Sequence, residues 1–142
     1  MSQVESRMER VAQVEDGGQG RRASRRRQVD SILEAARFVH PDDQLLLRQA
    51  LEFGLSIGDI ARLMRCSRSV IYRRIRTTLG RIRSPLFAYA AQNRRGLDPG
   101  LRQVADLVVL QGRTQREASL ATSQSLHQVR KHLHALATLA AR

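Results

Sequence analysis

The residues in this chain best equipped for chemistry are arginines, and they crowd into one stretch. Residues 54–82 read GLSIGDIARLMRCSRSVIYRRIRTTLGRI, and between Asp59 and Asp98 there are ten arginines and no Asp or Glu. A guanidinium is a planar fork of donors that matches phosphate oxygens and guanine edges. With no carboxylate between them, such groups suit a polyanion. The spacing sorts them. Arg68, Ser69, Tyr72 and Arg73 fall on the outer side at the start of a predicted helix over 67–83. The N-terminal part of a recognition helix is the part that meets base edges in a major groove, so these four are expected to approach bases. Arg65, Arg74, Arg76, Arg81 and Arg83 are expected to grip phosphates, which fix position without reading sequence.

Other chemistries are weaker. His127, His132 and His134 could suggest a metal, but Cys66 is far off in sequence, carboxylates nearby are few, and His132 and His134 point to different helix faces. No metal or cofactor is expected. There is no glycine-rich phosphate loop, and no nucleophile has a recognisable base beside it in motif form, so the chain does not read as an enzyme. Cys66 reads as a small apolar turn residue and, being the one cysteine, can form no internal disulfide.

Short helices must position the arginines. Ser56 precedes Ile57, Ile60, Ala61 and Met64, with Asp59 three residues on, which predicts a capping box opening a first helix. Arg65-Cys66-Ser67 is the turn, and Ser67 can cap the next helix. Ile71, Ile75, Leu79 and Ile82 give that helix its apolar inner side. Upstream, Val29, Ile32, Leu33 and Ala36 predict a helix over 29–39. Pro41, Asp42 and Asp43 open another, which Gly54 stops, with Leu46, Leu47, Ala50 and Leu51 inward. Ser84-Pro85 starts a small linking helix, and Asp98-Pro99 the next.

The punctuation then recurs. At an offset of 58, Pro41 meets Pro99, Gly54 meets Gly112, Ser56 meets Thr114, and Asp59 meets Glu117. Ser67 meets Ser125, Ile71 meets Val129, and Ile75 meets Leu133. This predicts a tandem pair of helix-turn-helix units, the second degenerate; its first helix offers only Ala118, Leu120 and Ala121 as apolar residues. The alternative is a plain helical hairpin that shares these signals. Gln128, Arg130 and Lys131 are the second unit's expected contacts with a neighbouring groove segment, unless that unit serves self-association.

The stretch GLSIGDIARLMRCSRSVIYRRI resembles the helix-turn-helix of bacterial sigma-70 factors, region 4, and the C-terminal reading head of serine resolvases and invertases. In such units a small residue, here Ala61, sits in the first helix. Inward aliphatics stand at Ile60, Met64, Ile71 and Ile75, and the turn position that usually holds glycine is Arg65. The likeness spans about residues 43–83 well and 99–136 loosely. It implies a DNA-reading head, rather than a whole sigma factor or recombinase.

Composition frames these readings. The chain has 142 residues, a net charge of +12, and 42% hydrophobic content, enough for one domain or two small ones. Lys131 is the only lysine among 25 basic residues. No run approaches the ~18 apolar residues of a membrane span, and the N-terminus does not read as a signal peptide. The expected layout is all-α: a disordered arginine-rich arm over 1–28, a first helix-turn-helix unit over 29–83, a linker over 84–97, and a second unit over 98–142. The expected role is a cytoplasmic, bacterial nucleoid-associated regulator of transcription that binds specific double-stranded DNA, with RNA polymerase or a homodimer partner as further candidates and no membrane. Two other classes stay open: a module docking on polymerase or another regulator, and a charge-driven architectural binder of nucleic acid.

Overall fold

The structure, a computed structural model, describes residues 19–142, which form eight helices and no strand. Helix α1 spans Gln19–Ala35 and runs into a 3-10 turn, Ala36–Phe38. Helix α2 begins at Pro41–Leu47 and widens into a π-helical turn, Arg48–Glu52; α3 is Ile57–Met64 and α4 is Arg68–Ile82. Then follow α5 (Pro85–Asn93), a 3-10 turn (Arg94–Gly96), and α6 (Pro99–Val104), which widens into a second π-helical turn, Ala105–Leu110. Helices α7 (Gln115–Thr122) and α8 (Leu126–Ala140) complete the chain. No helix among the described residues is long and apolar enough to cross a membrane.

Two compact units result. One holds the described residues up to Arg37 together with Pro41–Thr77; the other holds Phe38–His40 and Thr78–Arg142, so the boundary falls inside α4. In the first unit Leu46, Leu47, Ile60, Ile71 and Ile75 are almost wholly buried. In the second, Val104, Ala118 and Val129 form a cluster, against which Leu107, Val108 and Leu133 pack.

Local chemistry explains the boundaries. Ser56 Oγ accepts from the Asp59 N–H at 3.1 Å, and Ser67 Oγ accepts from the Val70 N–H at 3.2 Å. Ser84 Oγ does the same for Phe87 at 3.1 Å. Thr114 with Glu117 and Ser125 with Gln128 form complete capping boxes. Each satisfies donors that a helix start otherwise leaves to water. Gly54 and Gly112 lie at φ 67° and 74°, a region glycine enters without the Cβ clash that stops other residues.

The 58-residue spacing governs backbone geometry too. Ile57–Met64 becomes Gln115–Thr122, Arg68–Ile82 becomes Leu126–Ala140, and the 3-10 turn Ala36–Phe38 becomes Arg94–Gly96. The bond from Leu55 N–H to the Gln49 carbonyl returns as Arg113 to Leu107, both at 2.9 Å. Arg65 at φ 54° and Ser123 at φ 60° take the same left-handed turn.

Three expectations need correction. The arginine cluster at 21–27 is not a disordered arm: α1 extends back to Gln19 and includes it. Arginine is a good helix former, and Ile32, buried in the same helix, anchors a segment from which further turns propagate cheaply. Contacts between α1 and the π-helical turn of α2 hold that anchor. The expected disorder of residues 1–18 lies outside the described residues. Next, residues 84–97 do more than link: α5 buries Phe87 and Ala90 and packs on α6 and α8 within the second unit. Last, Leu120 is 79% exposed and Ala121 is exposed as well, leaving Ala118 as the buried residue of α7. Leu120 occupies the place of Arg62 in the repeat, which faces water.

Candidate nucleic-acid interface

Helix α4 has two sides of opposite character. Ile71 and Ile75, 0% and 1% exposed, fix its roll in the first unit; Thr78, already in the second unit, is 3% exposed. On the outer side Arg68, Ser69, Arg73 and Arg76 are exposed, while Tyr72 is half-buried. Successive turns of one helix carry them, so they form a ridge of guanidinium and hydroxyl groups. Val70, 39% exposed, belongs to the outer side as well. Sequence reasoning misses it, since a valine beside Ile71 reads as core. The signal is there all the same: 70 is out of step with the 71–75–78 pattern.

Arg65 stands exposed in the turn before α4, its backbone left-handed, and Arg83 stands exposed just beyond the helix. Two other arginines of the expected phosphate-gripping set have partners inside the protein. Arg74 Nη2 donates to Asp43 Oδ1 at 3.0 Å, with the carboxylate 17% exposed. Arg81 Nε donates to the Leu110 carbonyl at 3.4 Å, and its guanidinium lies hard against Gly112. Both side chains serve internal joints: Arg74 inside the first unit, Arg81 inside the second.

Beside the ridge, Asp59 closes an ion pair with Arg62. Hydrogen bonds from Arg62, then from Ser56, hold the Asp59 carboxyl below the usual aspartate range. In the second unit, Arg94 forks onto Asp106 through two bonds of 2.7 and 2.9 Å, which raises its already high affinity for a proton. That half-buried pair ties the turn after α5 to the π-helical turn that continues α6.

The second unit's counterpart of the ridge is thinner. Gln128, Arg130 and Lys131 are exposed on α8. Gln128 completes the Ser125 capping box, and Arg130 Nε donates to Gln115 Oε1 at 3.3 Å. Lys131 carries the unengaged charge of the three among the described residues. His132 Nδ1 meets Gln124 Oε1 at 2.8 Å, a structural bond inside the unit. No group of three or more His, Cys, Asp or Glu that could hold a metal occurs among the described residues. Cys66 is exposed in the turn, its Sγ 3.4 Å from the Met64 carbonyl oxygen.

No protein-family model, curated protein or solved structure matches the chain.

Proposed function

We propose that the chain is a sequence-reading binder of double-stranded DNA, with α4 as its recognition helix, acting as a regulator of transcription. One observation carries this reading: an exposed row of Arg68, Ser69, Arg73 and Arg76 on a helix whose opposite side is locked by buried Ile71 and Ile75. A rigid helix bearing unneutralised arginines matches the width and acceptor pattern of a major groove. The capped helix, left-handed turn and capped helix of residues 56–82 supply the geometry in which such a helix projects. The recurrence at 115–140 supports the tandem reading, in which Lys131 and Arg130 would meet phosphates. Arg21, Arg22, Arg26 and Arg27, exposed on α1, add a further cationic surface suited to phosphate contacts.

The test is selection of bound duplexes from a random pool, followed by affinity against salt for selected and random duplexes. Sequence reading requires a preference of about 10³-fold or more for the selected duplex at physiological salt. Equal affinity for both would reduce the protein to a charge-driven binder.

A second reading, docking on RNA polymerase or another regulator, is favoured by Leu63 and Leu120, which are 65% and 79% exposed on α3 and α7. Recovery of polymerase from nuclease-treated extract, abolished by Leu63→Ser, would support it.

A further inference from the structure

Gly58, the second residue of α3, is buried, yet its backbone is helical and makes no demand for glycine's left-handed freedom. Glycine is a poor helix former, so the position needs a reason. The reason visible is Arg68. A Cβ placed on Gly58 would lie 2.8 Å from Arg68 Nη2 and 3.1 Å from both its Cζ and Nε. This guanidinium lies against the helix before its own, in the gap left by the missing methyl group.

The repeat supplies a control. At the positions 58 residues on, Gly58 is replaced by Arg116 and Arg68 by Leu126. The seat and the arginine that uses it are absent together. The fold itself therefore does not require glycine at this point of the unit, since α7 forms with an arginine there.

We propose that Gly58 is a positioning residue for base readout: it seats the Arg68 fork in one orientation at the start of α4, aimed at the acceptor edge of a guanine. An arginine already held in place loses less rotamer freedom on binding, and its two parallel donors meet a guanine edge only in a narrow range of angles. This rests on the reading of α4 as a recognition helix. The atoms nearest to a methyl group at 58 are all at the far end of the flexible Arg68 side chain, so Gly58→Ala should displace Arg68 first.

The experiment compares the full-length chain with Gly58→Ala, Arg68→Ala and the double variant. Each is measured for its thermal midpoint and for affinity toward the duplex that the natural chain selects from a random pool and toward a random duplex. Arg68→Ala should weaken binding to the selected duplex by about tenfold, the value of one good bidentate contact. Gly58→Ala should weaken it by roughly three- to tenfold, with an unchanged or higher midpoint and little change on random duplex. In the Arg68→Ala background Gly58→Ala should cost nothing further, a non-additivity that a merely structural glycine would not produce. Undiminished binding by Gly58→Ala, a loss that persists without Arg68, or a lowered midpoint would overturn the proposal while leaving the recognition-helix reading in place. A natural chain that selects no duplex would overturn both.

Discussion

Arg74 reaches across from α4 to the Asp43 carboxylate in the first turn of α2, at 3.0 Å. The same two places in the second unit hold His132 and Leu101, which cannot form an ion pair. There the joint is made by Gln124, whose Nε2 donates to the Gly100 carbonyl at 3.0 Å and whose Oε1 accepts from His132 Nδ1 at 2.8 Å. One mechanical need, holding the outer helix to the start of the helix beneath it, is thus met by a charge pair in one unit and by an amide network in the other.

Arg74→Ala should therefore act on stability first. The pair is partly exposed, 36% on the arginine side, so its loss should cost about 1 kcal/mol or less. Urea denaturation of the variant measures this directly. The slope of log affinity against log salt should stay as in the natural chain, because Arg74 is occupied inside the unit. A slope shallower by about 0.9 would instead place Arg74 on a phosphate.

Gln124→Ala removes three bonds at once, since Gln124 Nε2 also reaches Gln103 Oε1 at 3.3 Å. It leaves the Gly100 carbonyl and His132 Nδ1 without that partner. A cost of about 1–2 kcal/mol in urea denaturation is expected, more than for Arg74→Ala. A cost below that of Arg74→Ala would show that water replaces the amide without penalty.

Arg65 holds its place in the turn with left-handed backbone, φ 54°. Glycine there removes that strain, of order 1–2 kcal/mol, but gives back about 0.4–1 kcal/mol through a freer unfolded chain. Arg65→Gly should accordingly raise stability by about 1 kcal/mol or less. In the same variant the salt slope of duplex binding should shrink by about 0.9, as expected when one phosphate is no longer neutralised. A more stable protein with an unchanged slope would remove Arg65 from the interface.

Asp59 gives a pH-dependent handle on the first turn of α3. Its carboxyl is held below the ordinary aspartate range, first by the hydrogen bond from Arg62 and then by that from Ser56. A carboxyl bound more tightly as the anion in the folded state contributes stability that is complete above its unfolded value, about 3.9. That contribution fades as pH falls through the lower folded value. Titration of the Asp59 carboxyl by NMR should give a midpoint below about 3.9, and Arg62→Ala should move it upward. A midpoint that ignores Arg62→Ala would refute the ion pair as the cause.

Much of the backbone is legible in the residues because caps and glycines are local signals. Ser56, Ser67, Ser84, Thr114 and Ser125 each announce a helix start through a single hydroxyl, and Gly54 and Gly112 announce stops. The recurrence is legible for the same reason, and the geometry carries it further than the punctuation does, into the 3-10 turns before α2 and α6. What stays hidden depends on partners distant in sequence. Arg74 looks like any outward arginine until Asp43, 31 positions earlier, is brought beside it. Arg81 finds its carbonyl 29 positions later. The start of α1 is hard to read because exposed arginine turns have no apolar period of their own and borrow order from Ile32. Leu120 misleads because alternation of apolar residues in a short helix does not fix its roll; the Thr114 cap and buried Ala118 do.

The central question is whether the α4 ridge reads bases. The direct measurement is the affinity of Arg73→Ala for the selected duplex and for a random duplex at matched salt. Base reading requires a loss of about 1–3 kcal/mol on the selected duplex with relaxed preference at one base position, and a much smaller loss on the random one. An equal loss on both would make Arg73 a phosphate contact, and no loss on either would take α4 out of the groove.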